Sequence, residues 1–174
     1  WGQLRHLYLC AWAIWEGDWT DAAIEFLLHC RCLLTLSLTY SLHPDDADKY
    51  SQYPDVSTEN IDSTIHPLRE LTLSELSSAA VEQIVALCPL LQAFRYIDSF
   101  PPGLLRPITK APCMRSFTLD SANNLWTQDL EALNSLCVLE ISYIQPGLED
   151  AVVELLKRCP ELENLSLHFD YILT

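Results

Sequence analysis

Histidines, cysteines and paired carboxylates do most protein chemistry, and their arrangement in this chain is unpromising for catalysis. His6, His29, His43, His66 and His168 are scattered along the chain. Cys10 lies close enough to His6 in sequence to be drawn as a nucleophile–base dyad. No third group is placed to orient the imidazole, so no nucleophilic chemistry is expected. Cys30-Arg31-Cys32 has one intervening residue, where a zinc half-site has two to four, and no matching pair follows. Asp46, Asp48 and Tyr50 begin like a calcium loop. Ser51 and Ser57 stand where that loop needs glycine and glutamate, so calcium is rejected. Asn164-Leu165-Ser166 matches a glycosylation acceptor but lies inside an expected strand. Trp12, Trp15 and Trp19 read as an aromatic turn. A ligand cage is the alternative; a cover for one end of the fold is favoured. We therefore expect a non-enzymatic protein with no catalytic residues, no metal and no cofactor.

The charge excludes further classes. The chain has 174 residues, 49% of them apolar, and a net charge of −14. That apolar content is enough for a real core, and the acidity argues against binding nucleic acid or an anionic membrane through a basic surface. The most apolar window, Phe26 to Tyr40, is interrupted by His29 and Arg31 and is too short to span a bilayer. The N-terminal residues do not form a signal peptide. They begin almost inside a repeat, so the chain is expected to be a piece of a longer protein. Seven cysteines is an odd number. Cys30, Cys88 and Cys159 each close an expected helix, where a small buried residue is called for. Reduced core thiols in a cytoplasmic or nuclear protein are the expectation, rather than disulfides.

The positioning framework is a repeat. The pattern L-x-x-L-x-L starts at Leu4, Leu33, Leu68, Leu91, Met114, Leu136 and Leu162, at spacings of 29, 35, 23, 23, 22 and 26 residues. Leucine-rich repeats run about 20–29 residues, so the spacing of 35 signals one insertion. Side chains alternate along an extended segment, so the fourth and sixth positions point to a core and the third, fifth and seventh to solvent. One such unit cannot bury its apolar side alone, and neighbours must stack. The expected fold is α/β: a right-handed leucine-rich-repeat solenoid, a horseshoe arc of about seven repeats with a parallel concave sheet. It occupies residues 1–174 as a single domain.

Between the strands, periodicity predicts helices over about 21–30, 79–88, 127–135 and 148–159. Leu76, Ala80, Ile84 and Leu87 share a face of the second, and Leu148, Val152, Leu155 or Leu156, and Cys159 share a face of the last. The segment 101–112 has four prolines, so extended structure or one short helical turn is expected there. Residues 40–67 are acidic, rich in proline and without apolar period, and read as a long surface loop inserted into the array.

Leu87-Cys88-Pro89-Leu90-Leu91 and Arg158-Cys159-Pro160-Glu161-Leu162 carry a C-P-x-L signature ahead of the strand. His29-Cys30-Arg31-Cys32-Leu33 follows it with Arg in place of Pro. With irregular repeats, this resembles the cysteine-containing leucine-rich repeats of F-box proteins, in the ribonuclease-inhibitor-like superfamily. The acidic, tryptophan-rich style is similar to fungal F-box proteins. The resemblance covers nearly all of the chain except 40–67. It implies the substrate-recognition region of an SCF ubiquitin ligase, with the adaptor bound by an F-box outside this stretch. A free-standing scaffold or a small-GTPase regulator is the alternative.

A partner protein would meet three columns on the concave sheet. His6, Thr35, Glu70, Ala93, Ser116, Val138 and Asn164 form the first. Tyr8, Ser37, Thr72, Arg95, Thr118, Glu140 and Ser166 form the second. Cys10, Thr39, Ser74, Ile97, Asp120, Ser142 and His168 form the third. Arg95 is their only permanent cation. It could hold an acidic or phosphorylated residue of a partner, but pairing with Glu70, Asp120 or Glu140 is the favoured reading.

Overall fold

The computed structural model describes residues 2–12, 24, 26–41, 66–74, 76, 78–97, 104–120, 133, 135–144 and 146–169. Seven strands, β1 (His6–Trp12), β2 (Thr35–Ser41), β3 (Glu70–Ser74), β4 (Ala93–Ile97), β5 (Ser116–Leu119), β6 (Val138–Ile144) and β7 (Asn164–Phe169), form one sheet. All neighbours are parallel and the strand order is the chain order. Helices α1 (Ser78–Leu87), α2 (Leu105–Ile108) and α3 (Glu149–Arg158) lie on connections between strands. Residues 24 and 26–29 are also helical.

Alternation along each strand sends one set of leucines inward. Leu36, Leu38, Leu71, Leu73, Leu139 and Ile141 are at most 4% exposed. They join Ala80, Val81 and Ile84 of α1 and Val152 and Leu155 of α3 in one apolar core. Each buried leucine contributes about 1.5–3 kcal/mol. Among the described residues β7 has a strand on one side only, and its Leu165 is 46% exposed.

The entries to β2, β4, β5 and β7 are held by one recurring bond. Leu33, Leu91 and Leu162 donate their N–H to the carbonyls of Cys30, Cys88 and Cys159, at 2.8, 3.0 and 3.1 Å. Met114 does the same to Ala111 at 3.2 Å. A helix-end carbonyl that would lack a partner is thereby satisfied. The three cysteines are buried and unbridged. Burial pushes the Cys88 thiol up to about 12, so it stays protonated and inert.

Helices α1 and α3 fall within a residue of the expected ranges 79–88 and 148–159. Glu149 and Asp150 open α3 and Lys157 and Arg158 close it, each sign matching the helix dipole. Among the described residues, the proline-rich segment after β4 holds the four-residue turn α2, which contains Pro107. There the strands carry larger side chains: Phe94 stacks on Tyr96 and on Phe117, with ring centroids 6.4 and 6.1 Å apart. The Tyr96 hydroxyl donates to the Leu76 carbonyl at 2.9 Å and accepts the Leu76 N–H at 3.0 Å.

Several boundaries differ from the expectation. The expected loop range 40–67 takes in residues at both ends that the structure describes otherwise. Tyr40 and Ser41 belong to β2, and His66 is buried. The rest of it, 42–65, lies outside the described residues, as do Trp15, Trp19 and most of the helix expected at 127–135. Trp12 ends β1 instead of standing in a turn. His66 donates from Nε2 to the Cys30 carbonyl at 3.0 Å and accepts the Leu68 N–H on Nδ1 at 3.2 Å. It thus ties the entry of β3 to the turn before β2. Desolvation lowers its pKa from 6.5, opposed by the bonds to the Cys30 and Leu27 backbones.

Candidate protein-binding face

The core takes every second side chain of the strands, so the others stand on the opposite face of the sheet. The first two columns are in register across it. His6 pairs with Thr35, Thr35 with Glu70, Glu70 with Ala93, Ala93 with Ser116, Ser116 with Val138, and Val138 with Asn164. Tyr8, Ser37, Thr72, Arg95, Thr118, Glu140 and Ser166 pair in the same way.

The third column departs from the expectation. Cys10 pairs with Thr39 and Ser74 with Ile97, but Ser142 does not pair with His168. Beyond Ile141–Leu167 the next pair is Ile144–Phe169, so β6 carries one extra residue there. This bulge places Tyr143 at φ 58°, a left-handed conformation unusual for an aromatic residue, and leaves it 58% exposed. An inserted residue has no signature in a two-residue period, so the sequence pattern missed it.

Polar contacts link the columns locally. The Thr35 hydroxyl donates to Glu70 Oε2 at 3.1 Å and lies 3.1 Å from His6 Nδ1. With its one proton committed to Glu70, Thr35 accepts from the His6 N–H. Thr35 is covered by these two neighbours to 8% exposure, although its position predicted a solvent-facing residue. His6 therefore faces Thr35 and not Cys10, and the drawn dyad is not formed. Ser74, expected on the open columns, is likewise only 4% exposed. Arg95 donates from Nε and Nη2 to Asp120 Oδ2 at 3.1 and 2.7 Å. This is the favoured internal pairing, and at 53% exposure of Arg95 it is worth no more than about 1 kcal/mol. Thr118 donates to Glu140 at 3.5 Å, and Ser166 Oγ lies 3.3 Å from His168 Nε2. Tyr8 is 68% exposed.

The structure thus gathers the named residues into four separate contacts and does not converge them on one point. No group of three or more metal-ligating side chains occurs among the described residues. Two cavities of about 150 and 200 Å³ lie along α2, one bordered by Ile108, Met114 and Leu136, the other by Val85, Pro89 and Lys110. Neither reaches the roughly 300 Å³ of a common small-molecule site. Among the described residues, no helix is long and apolar enough to cross a membrane.

Fold and face together define an α/β protein with a single open sheet of seven parallel strands. No protein-family model, curated protein or solved structure matches the chain.

Proposed function

We propose that this chain is a right-handed leucine-rich-repeat solenoid of about seven repeats and a non-enzymatic protein-binding module. The observation that carries the reading is the register of the first two columns through all seven strands. Strands about 4.8 Å apart make that surface some 30 Å wide, the scale of a protein epitope and not of a metabolite. Its small hydroxylic side chains with scattered charges allow close approach of another chain. Right-handedness follows from the near-universal hand of connections between parallel strands. The partner would lie on the concave side, over Tyr8, Ser37, Thr72, Glu140 and their neighbours.

The C-P-x-L turns around Cys88 and Cys159 favour the substrate-recognition region of an F-box subunit of an SCF ubiquitin ligase. Such a receptor would work in the cytoplasm or nucleus. Affinity purification of the full-length protein from its own cells, read by mass spectrometry, tests this. Recovery of the SCF adaptor and cullin is expected. Their absence, with a small GTPase or a stable multiprotein complex recovered instead, would overturn the ligase assignment in favour of a scaffold or GTPase regulator.

A further inference from the structure

Apart from Arg106 on α2 and Arg158 on α3, the described lysines and arginines fall into two groups. Arg95 is bound to Asp120, Lys110 to Glu82 and Lys157 to Glu154. Arg5, Arg31 and Arg69 form no ion pair or side-chain hydrogen bond with the described residues. Arg115 reaches only Cys137 Sγ at 3.5 Å and Glu161 at 3.8 Å, both in exposed contacts. All four arginines are exposed.

Three of them also share one place in the fold. Arg5, Arg69 and Arg115 each stand one residue before a strand, at β1, β3 and β5. Their backbones are pinned in equivalent positions. The Arg5 carbonyl accepts from Leu34 and Thr35, that of Arg69 from Gln92 and Ala93, and that of Arg115 from Cys137 and Val138. The three therefore recur on every second strand, about 10 Å apart. Arg31 lies in the turn leading to β2, between the first two. Residues 2–5, 31–34, 66–69, 89–92 and 112–115 contain these four arginines and no carboxylate, in a chain with 24 acids and 10 bases. Acids return only at Glu161 and Glu163, before β7.

We propose that this strand-entry edge, from β1 to β5, docks an extended acidic segment of a partner protein. The proposal rests on the protein-binding reading and adds a second contact surface to it. In the extended polyproline II conformation a chain advances about 3.1 Å per residue with three residues per turn, so carboxylates three residues apart fall on one face at about the arginine spacing. Guanidinium groups bind carboxylates through two parallel hydrogen bonds and are less strongly hydrated than ammonium groups. A nucleic-acid strand carries a charge every 3.4 Å or so, much denser than the arginines, and binds single-stranded on aromatic platforms. Between these arginines stand Leu34 and Gln92 instead.

Fluorescence anisotropy of the full-length protein with three labelled probes tests the docking. The probes are a peptide of about twelve residues with Glu at every third position, the same peptide with Gln, and an oligothymidylate of similar length. The Glu peptide is expected to bind about tenfold or more tightly than the Gln peptide, and more weakly as salt rises. The combined Arg5→Glu, Arg69→Glu and Arg115→Glu variant should lose about tenfold or more of that affinity, with its melting curve unchanged. If that variant does not fold, the single Arg69→Glu change carries the test, with a loss of about threefold. Equal binding of the Glu and Gln peptides, or tighter binding of the oligonucleotide, would overturn the proposal. Loss of native partners on substituting Tyr8 and Glu140, with no preference for the Glu peptide, would sink the arginine edge and leave the module reading standing.

Discussion

The connection after β3 and the connection after β4 solve the same packing problem in different ways. The first carries the ten-residue helix α1, whose Ala80, Val81, Ile84 and Val85 fill the space behind the sheet. Leu71 and Leu73 are large enough to complete that layer. Among its described residues the second carries only the four-residue α2, in a segment whose four prolines oppose a longer helix. Behind β4 and β5 the strands themselves supply the volume, with Phe94, Tyr96 and Phe117 where leucines stand elsewhere. Tyr96 also reaches the Leu76 backbone and binds both its polar groups. The apolar filling of the core thus comes from the helix in one connection and more from the strands in the next.

Substitutions can break this comparison. The largest effect is expected in the middle of the sheet. Leu139→Asp buries a carboxylate with no partner and should abolish cooperative unfolding near room temperature, since the cost exceeds several kcal/mol. The matching change Leu165→Asp, at the same strand position in the half-exposed β7, should cost far less. Equal losses in the two melting curves would mean that β7 is packed as tightly as β6. The aromatic stack comes next. Phe94→Ala should destabilise by about 3–5 kcal/mol in urea unfolding. A loss below about 1 kcal/mol would show that α2 collapses into the space and that the strand does not supply the volume.

A smaller effect separates packing from hydrogen bonding. Tyr96→Phe keeps the ring and leaves the Leu76 N–H and carbonyl without their partner, at about 1–3 kcal/mol. An unchanged unfolding midpoint would show that water replaces the hydroxyl. The smallest effect is a pH dependence at the entry of β3. The folded His66 binds its proton less readily than the unfolded chain, whose value is near 6.5. Its neutral form therefore supports the fold fully above pH 6.5, and that support is lost as the pH falls below 6.5 toward the lowered folded value. The stability difference between pH 8 and pH 5 should shrink in His66→Gln, as measured by urea midpoints. An undiminished difference would assign it to other groups.

Different parts of the molecule were legible in the sequence to different degrees. Leu36 and Leu38, Leu71 and Leu73, and Leu139 and Ile141 announce their strands through a two-residue period, and the register of the first two columns could be written down from it. Helices α1 and α3 were equally readable, because their apolar stripes end at Cys-Pro. His66 was not, because it sits next to Pro67 at the end of an acidic stretch and resembles loop. Only its burial against the Cys30 carbonyl shows what it holds. Thr35 was assigned to solvent by alternation, yet its neighbours His6 and Glu70 close over it. The arginine edge lay outside the columns because position two of each repeat belongs to neither the core nor the open face.

The sequence alone determined which residues are apolar partners and in what order the strands follow, since period and spacing are local properties of the chain. The tertiary structure decided the rest. It paired Arg95 with Asp120 out of three available carboxylates, because side-chain reach across strands depends on the register of the third column. It inserted Tyr143 as a bulge, which no alternation rule encodes. It aligned Arg5, Arg69 and Arg115, far apart in sequence, because parallel strands return the chain to the same edge at each turn.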